Sequence, residues 1–151
     1  MVARALGAWA VPAVLALAAT ASCASAPRDD AAYRADVVAA LGAGLSEARA
    51  GELAARQWVG HRTTDAAARV VVAASESGLA GESGWLSGLQ PPTPASDAVR
   101  ADALDALDAA SSALQDVRIR LSREDRPGVV DALADLTRST AAVEAMAEAG
   151  R

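Results

Sequence analysis

The 151-residue chain contains no Lys, no Asn and no Phe, and only one Ile, one Tyr, one His and one Cys. Each shortage excludes something. With aromatics at 3% and no lysine, the chain has neither the basic stripe nor the stacking platform that nucleic-acid binding uses. The formal net charge of −5 points the same way, so no nucleic-acid partner is expected. His61 is the sole imidazole on which a Ser-His-Asp arrangement would have to be built, and no G-x-S-x-G or other nucleophile motif accompanies it. No Gly-rich phosphate cradle follows a strand pattern either, so catalysis is not expected. His61 and Asp65 stand four apart, but two ligands do not make a transition-metal site, and no D-x-D-x-D-G loop is present to wrap calcium. No metal and no cofactor are expected. The depleted residues have AT-rich codons, whereas the abundant Ala, Arg, Gly and Pro have GC-rich ones. That is the composition of a GC-rich bacterium of the actinobacterial kind.

Long apolar runs are also scarce. Only the opening stretch qualifies: Arg4 and the amino terminus supply positive charge, and Leu6 to Ala19 follow without any charge. The run is too short for a stable span of about 30 Å of hydrocarbon, which needs about 20 residues, and Pro12 interrupts it. Positive start, apolar middle and small residues before Cys23 are the layout of a signal peptide. Thr20-Ala21-Ser22-Cys23 resembles the lipobox of bacterial prolipoproteins, in which small or apolar residues precede a cysteine that is lipidated and becomes the first mature residue. Thr20 stands where that family usually has Leu or another aliphatic residue. The resemblance covers residues 1–23 and implies a thioether-linked diacylglycerol on Cys23. The alternative is ordinary secretion, with cleavage after Ala21 or Ala26, since Ala19-Thr20-Ala21 and Ala24-Ser25-Ala26 both read as A-x-A sites. That route leaves one unpaired thiol on an exported protein, and Pro27 disfavours the second site.

Cleavage before Cys23 divides the chain into a signal peptide, residues 1–22, a lipidated cysteine with a short tether, residues 23–30, and a domain, residues 31–151. Arg4 leaves with the signal, so 13 of the 14 arginines remain against 19 acids, a formal charge of −6. No polybasic segment assists, and the lipid anchors alone. The tether reaches at most about 3.5 Å per residue, which keeps the domain close to the membrane.

The domain reads as helical. Tyr33, Val37, Val38, Leu41, Leu45 and Ala48 recur at helical spacing from a cap at Asp29 or Asp30, continuing to Trp58 with a weak point near Gly51. A second helix starts among Thr63, Thr64 and Asp65 and is expected to stop near Ser77, before Gly78. A third spans 96–122, with Ala103, Leu107, Ala110, Leu114, Val117 and Leu121 on one stripe and Asp102, Asp105 and Asp108 on a solvated acidic face. The last runs from Pro127 to Ala149, with Val129, Leu133, Leu136, Thr140, Val143 and Ala147 on its stripe. The expected fold class is all-α: a four-helix antiparallel bundle with an Ala-rich core and a long Gly/Pro-rich connection between helices 2 and 3.

That connection, residues 79–95, is the candidate site. It contains Gly81, Gly84, Gly88 and Gln90-Pro91-Pro92-Thr93-Pro94, together with Trp85, Leu86 and Leu89, and Trp58 is expected nearby. Long connections in compact domains are uncommon and often functional. Trp85, Leu86 and Leu89 either plug one end of the bundle or form a loop for a partner or ligand. Two functional classes follow: a membrane-tethered interaction module that engages an envelope protein, or a bundle that binds a small ligand between its helices. Small core side chains favour the first, and a cavity lined by Tyr33, Trp58 and Trp85 would favour the second.

Overall fold

The computed structural model describes residues 29–151. The expected signal peptide, Cys23 and most of the tether lie outside the described residues. Four helices make up the fold, with no strand among the described residues: α1 Asp30–Val59, α2 Asp65–Gly88, α3 Pro94–Ser122 and α4 Arg126–Ala149. Each starts on a side-chain cap. Asp29, Thr64, Thr93 and Asp125 accept from the amide nitrogens of Ala32, Ala67, Ser96 and Gly128, satisfying donors that a helix start leaves without partners.

The four helices form a bundle whose core is built from their apolar stripes. α1 packs against all three others, while α2 and α4 do not meet. The short diagonal of the bundle is therefore α1 to α3, and small residues on α1 make it possible. Ala40, Gly44, Ala48, Gly51 and Ala55 are buried in a row. A Cβ on Gly44 would lie 2.5 Å from Leu107 Cδ2, and one on Gly51 would lie 2.5 Å from Leu114 Cδ1. Leucines from α3 occupy the space that side chains on α1 would take. The register is constant: Asp30 pairs with Thr93, Gly44 meets Leu107 and Gly51 meets Leu114, each 63 positions apart. Gly51 is thus a packing position and α1 runs through it unbroken, rather than weakening there.

The largest departure from the sequence reading is at α2. Its glycines do not end it at Ser77; it continues to Gly88, so the connection to α3 is only residues 89–93. Four glycines, at positions 78, 81, 84 and 88, weaken the helix by about 1 kcal/mol each relative to alanine. Leu79 and Leu86 are fully buried on the continuing stripe of Ala68, Val72 and Ser75, and each stabilises by about 1.5–3 kcal/mol. The two effects are comparable, and tertiary burial keeps the helix going where local propensity alone would stop it. α3 likewise starts two residues early, at Pro94, because Thr93 rather than Ser96 caps it.

The two turns at the other end of the bundle share one geometry. Arg62 N donates to Gln57 O and His61 N to Trp58 O, while Asp125 N donates to Arg120 O and Glu124 N to Leu121 O. Both are Schellman closures, with His61 at φ 57° and Glu124 at φ 58° in the left-handed position that glycine usually fills. His61 is an exposed helix-capping residue.

Candidate functional site

The residues singled out from sequence fall in different places. Trp58 is buried at the end of α1, where its Nε1 donates to Asp65 Oδ1 at 2.5 Å. The guanidinium of Arg126 lies over its ring, 4.1 Å from the centroid, and Arg126 Nη1 also donates to Trp58 O and Val59 O. One arginine from α4 thus closes the last carbonyls of α1 and stacks on its tryptophan. Leu86 is fully buried in α2, and Leu89 is buried at its C-cap, where its carbonyl accepts from Arg100 Nη1 at 3.0 Å. Trp85, by contrast, is 47% exposed on the outer side of α2. The proposed neighbourhood of Trp58 and Trp85 does not exist. Trp58 sits at the start of α2 beside Asp65, and Trp85 is 20 residues further along that helix, about 30 Å away. Tyr33 belongs to the end opposite Trp58, so no cavity joins the three.

The end at which residue 29 enters carries a polar clasp. Asp30 Oδ1 accepts from Thr93 Oγ1 at 2.8 Å and from Ser96 Oγ at 2.5 Å, tying the start of α1 to the start of α3. The Ser96 hydroxyl, then that of Thr93, holds the Asp30 carboxyl below the ordinary value of 3.8. Because the depressed value belongs to the folded chain, the clasp contributes above the ordinary aspartate pKa and is lost as pH falls through the lower folded value. Thermal melts of the unsubstituted chain and of Asp30→Asn are therefore expected to converge as pH drops below 3.8. A gap between them that is the same at pH 3 and pH 7 would contradict the clasp. Beside it, Tyr33 is buried and its hydroxyl has no hydrogen-bond partner among the described residues. Burial pushes its phenol upward. A cavity of about 70 Å³ lined by Asp30, Tyr33, Ser96 and Val99 adjoins it, room enough for water.

A larger cavity of about 210 Å³ opens at the same end between α1, α3 and α4. Val37, Val38, Leu41, Val99, Met146 and Ala149 make its apolar wall, and Arg34 and Asp102 are its charged members. Sequence reasoning missed this set. Val37, Val38 and Leu41 were legible as core of α1, but their facing Val99 and Met146 required the register between helices, which no local pattern carries. Among the described residues, no group of three or more His, Cys, Asp or Glu is placed to hold a metal ion, and Asp102, Asp105 and Asp108 are all exposed. Compared with protein-family models, curated proteins and solved structures, the chain matches none of them.

Proposed function

We propose that this chain is an extracytoplasmic lipoprotein, held at the outer face of the cell membrane by lipid on Cys23, whose folded part is a non-catalytic interaction or structural module of the cell envelope. The observation that carries this reading is Ala21-Ser22-Cys23 closing an uncharged, signal-like run, with no other cysteine in the chain. Two acyl chains are about what stable anchoring takes without a spanning segment. None of the described helices is long and apolar enough to cross a membrane. A single histidine and the missing nucleophile motifs support a non-catalytic role.

Residues 1–22 are read as the signal peptide and the helices as an antiparallel bundle. Supporting the latter, Val38 meets Gly150, Arg49 pairs with Glu144 at 2.5 Å and Arg56 reaches Thr137 at 3.1 Å, so partners descend along α4 as α1 ascends. In this reading the start of α1, residues 89–93 and the end of α4 face the membrane, and the Schellman turns face an envelope partner. The test is intact mass and detergent partitioning beside Cys23→Ser. The native chain is expected in the detergent phase with a diacylglycerol adduct that the variant lacks. Identical soluble masses for the two would refute the lipid anchor.

A second reading, a small-ligand or sensing bundle, is favoured by the 210 Å³ apolar cavity. A mostly apolar recess of that order, open at one end of the bundle, accepts small hydrophobic molecules. A thermal-shift screen separates the two: specific stabilisation by a small apolar molecule, abolished by Val38→Trp, with no protein recovered from membranes, would favour the ligand reading.

A further inference from the structure

At the end of the bundle where residue 29 enters, packing is incomplete on one side. Residues 89–93 carry the chain from α2 to α3, but among the described residues no connection crosses there between α1, α3 and α4. Val38, Val99 and Met146 are left half-buried around the recess of about 210 Å³, whereas Leu107 and Leu114, further along α3, are fully buried. Apolar surface at this end lacks the cover that the rest of the core has.

Two opposite charges stand on different helices at this recess. Arg34 of α1 and Asp102 of α3 both line it, yet neither makes an ion pair among the described residues, with the other or with any third group. Asp30, one turn before Arg34, is already engaged by Thr93 and Ser96. Arg34 also borders the cavity of about 70 Å³, one wall of which is Tyr33, whose buried hydroxyl lacks a partner among the described residues. Apolar volume, a cation, an anion and a buried hydroxyl in want of an acceptor thus lie together.

We infer that this recess binds an α-amino acid with an apolar side chain, the side chain among Val38, Val99 and Met146, the carboxylate on Arg34 and the amino group on Asp102. The inference rests on the small-ligand reading and names its ligand. Size is the first selector. An apolar cavity of about 150 Å³ holds benzene, so about 210 Å³ suits a side chain of phenyl size. It is too small for the whole acyl chain of a membrane lipid, which spans half of a hydrocarbon core about 30 Å thick. Charge is the second. A fatty acid would satisfy Arg34 but face Asp102 and a net charge of −5, and an apolar amine would satisfy Asp102 but face Arg34. A zwitterion satisfies both, and its carboxylate, held by the guanidinium at the border of the smaller cavity, supplies the kind of group that the Tyr33 hydroxyl lacks. The Met146 thioether favours an aromatic ring among apolar side chains, which makes L-phenylalanine the probe.

It is tested by isothermal titration of the full chain in lipid nanodiscs, with helicity followed by circular dichroism. L-phenylalanine, with about 12 non-hydrogen atoms, is expected to bind with a Kd of about 0.1 mM. Glycine, which lacks the side chain, 3-phenylpropionate, which lacks the amine, and phenethylamine, which lacks the carboxylate, are each expected to bind at least about 10-fold more weakly. Arg34→Gln is expected to weaken L-phenylalanine by at least about 10-fold while sparing phenethylamine, and Asp102→Asn to weaken it likewise while sparing 3-phenylpropionate. Both side chains are exposed and unpaired among the described residues, so helicity is expected to stay unchanged in the two variants. No binding of L-phenylalanine up to about 10 mM, or binding indifferent to both substitutions, would overturn the inference. Binding of benzene without binding of L-phenylalanine would overturn it while leaving the small-ligand reading intact.

Discussion

Trp58→Ala is expected to remove about 3–5 kcal/mol from the stability of the bundle, a large share of the roughly 5–15 kcal/mol of a typical domain. Trp58 is one of the largest fully packed side chains in the core, at 2% exposure. Three further interactions depend on it: the Asp65 acceptor at the first residue of α2, the stacked guanidinium of Arg126, and through that arginine the closed end of α1. Truncation leaves a void, an Asp65 carboxylate without its donor and a cation without its ring. Trp58→Phe is expected to recover more than half of the loss, because it restores apolar volume but not the hydrogen bond. Urea unfolding followed by circular dichroism reads both. A loss below about 1 kcal/mol for Trp58→Ala would mean that this end of the bundle does not rely on the tryptophan.

The second large effect concerns the short diagonal. Gly51→Leu is expected to destabilise by about 3 kcal/mol, because even a Cβ there lies 2.5 Å from Leu114 Cδ1 and 3.3 Å from Ser75 Cβ. The improved helix propensity returns only about 1 kcal/mol. Gly42→Ala, where an added Cβ meets nothing within 4 Å, is expected to stabilise by roughly 0.5–1 kcal/mol and so isolates the propensity contribution. Exchanging the sizes across the diagonal, Gly51→Leu with Leu114→Ala, is expected to recover at least about 1 kcal/mol relative to the sum of the single variants. Strict additivity of the two would show that positions 51 and 114 do not share one space.

The stripes of α3 and α4 were legible because tertiary packing and local pattern agree there: Leu107, Leu114 and Leu121, or Val129, Leu136 and Val143, are spaced as a helix spaces one face. α2 was not, because its glycines signal an end that two buried leucines override from outside the segment. Treating residues 79–95 as a connection turned Trp85, Leu86 and Leu89 into one group, whereas a helix sends Trp85 to solvent and Leu86 into the core. The Asp30 clasp escaped for a different reason. Ser96 and Asp30 are separated by 66 positions, and each alone reads as an ordinary helix-start residue. Trp58 was visible as a large apolar residue, but its closeness to Arg126 depends on how α4 packs against α1, which no local pattern carries.

The constant offset of 63 positions between α1 and α3 makes the bundle a ruler graduated in sevens. Residues Asp30, Gly44 and Gly51 meet Thr93, Leu107 and Leu114 at the same offset, so α1 and α3 keep one phase from the first contact to the last. Removing one heptad from each of the four helices would shorten the rod by about 10 Å while leaving each remaining layer with its own partners. Removing three or four residues from one helix alone would rotate its stripe out of the core. Relatives of this chain that differ in reach should therefore differ in length by multiples of seven in all four helices together.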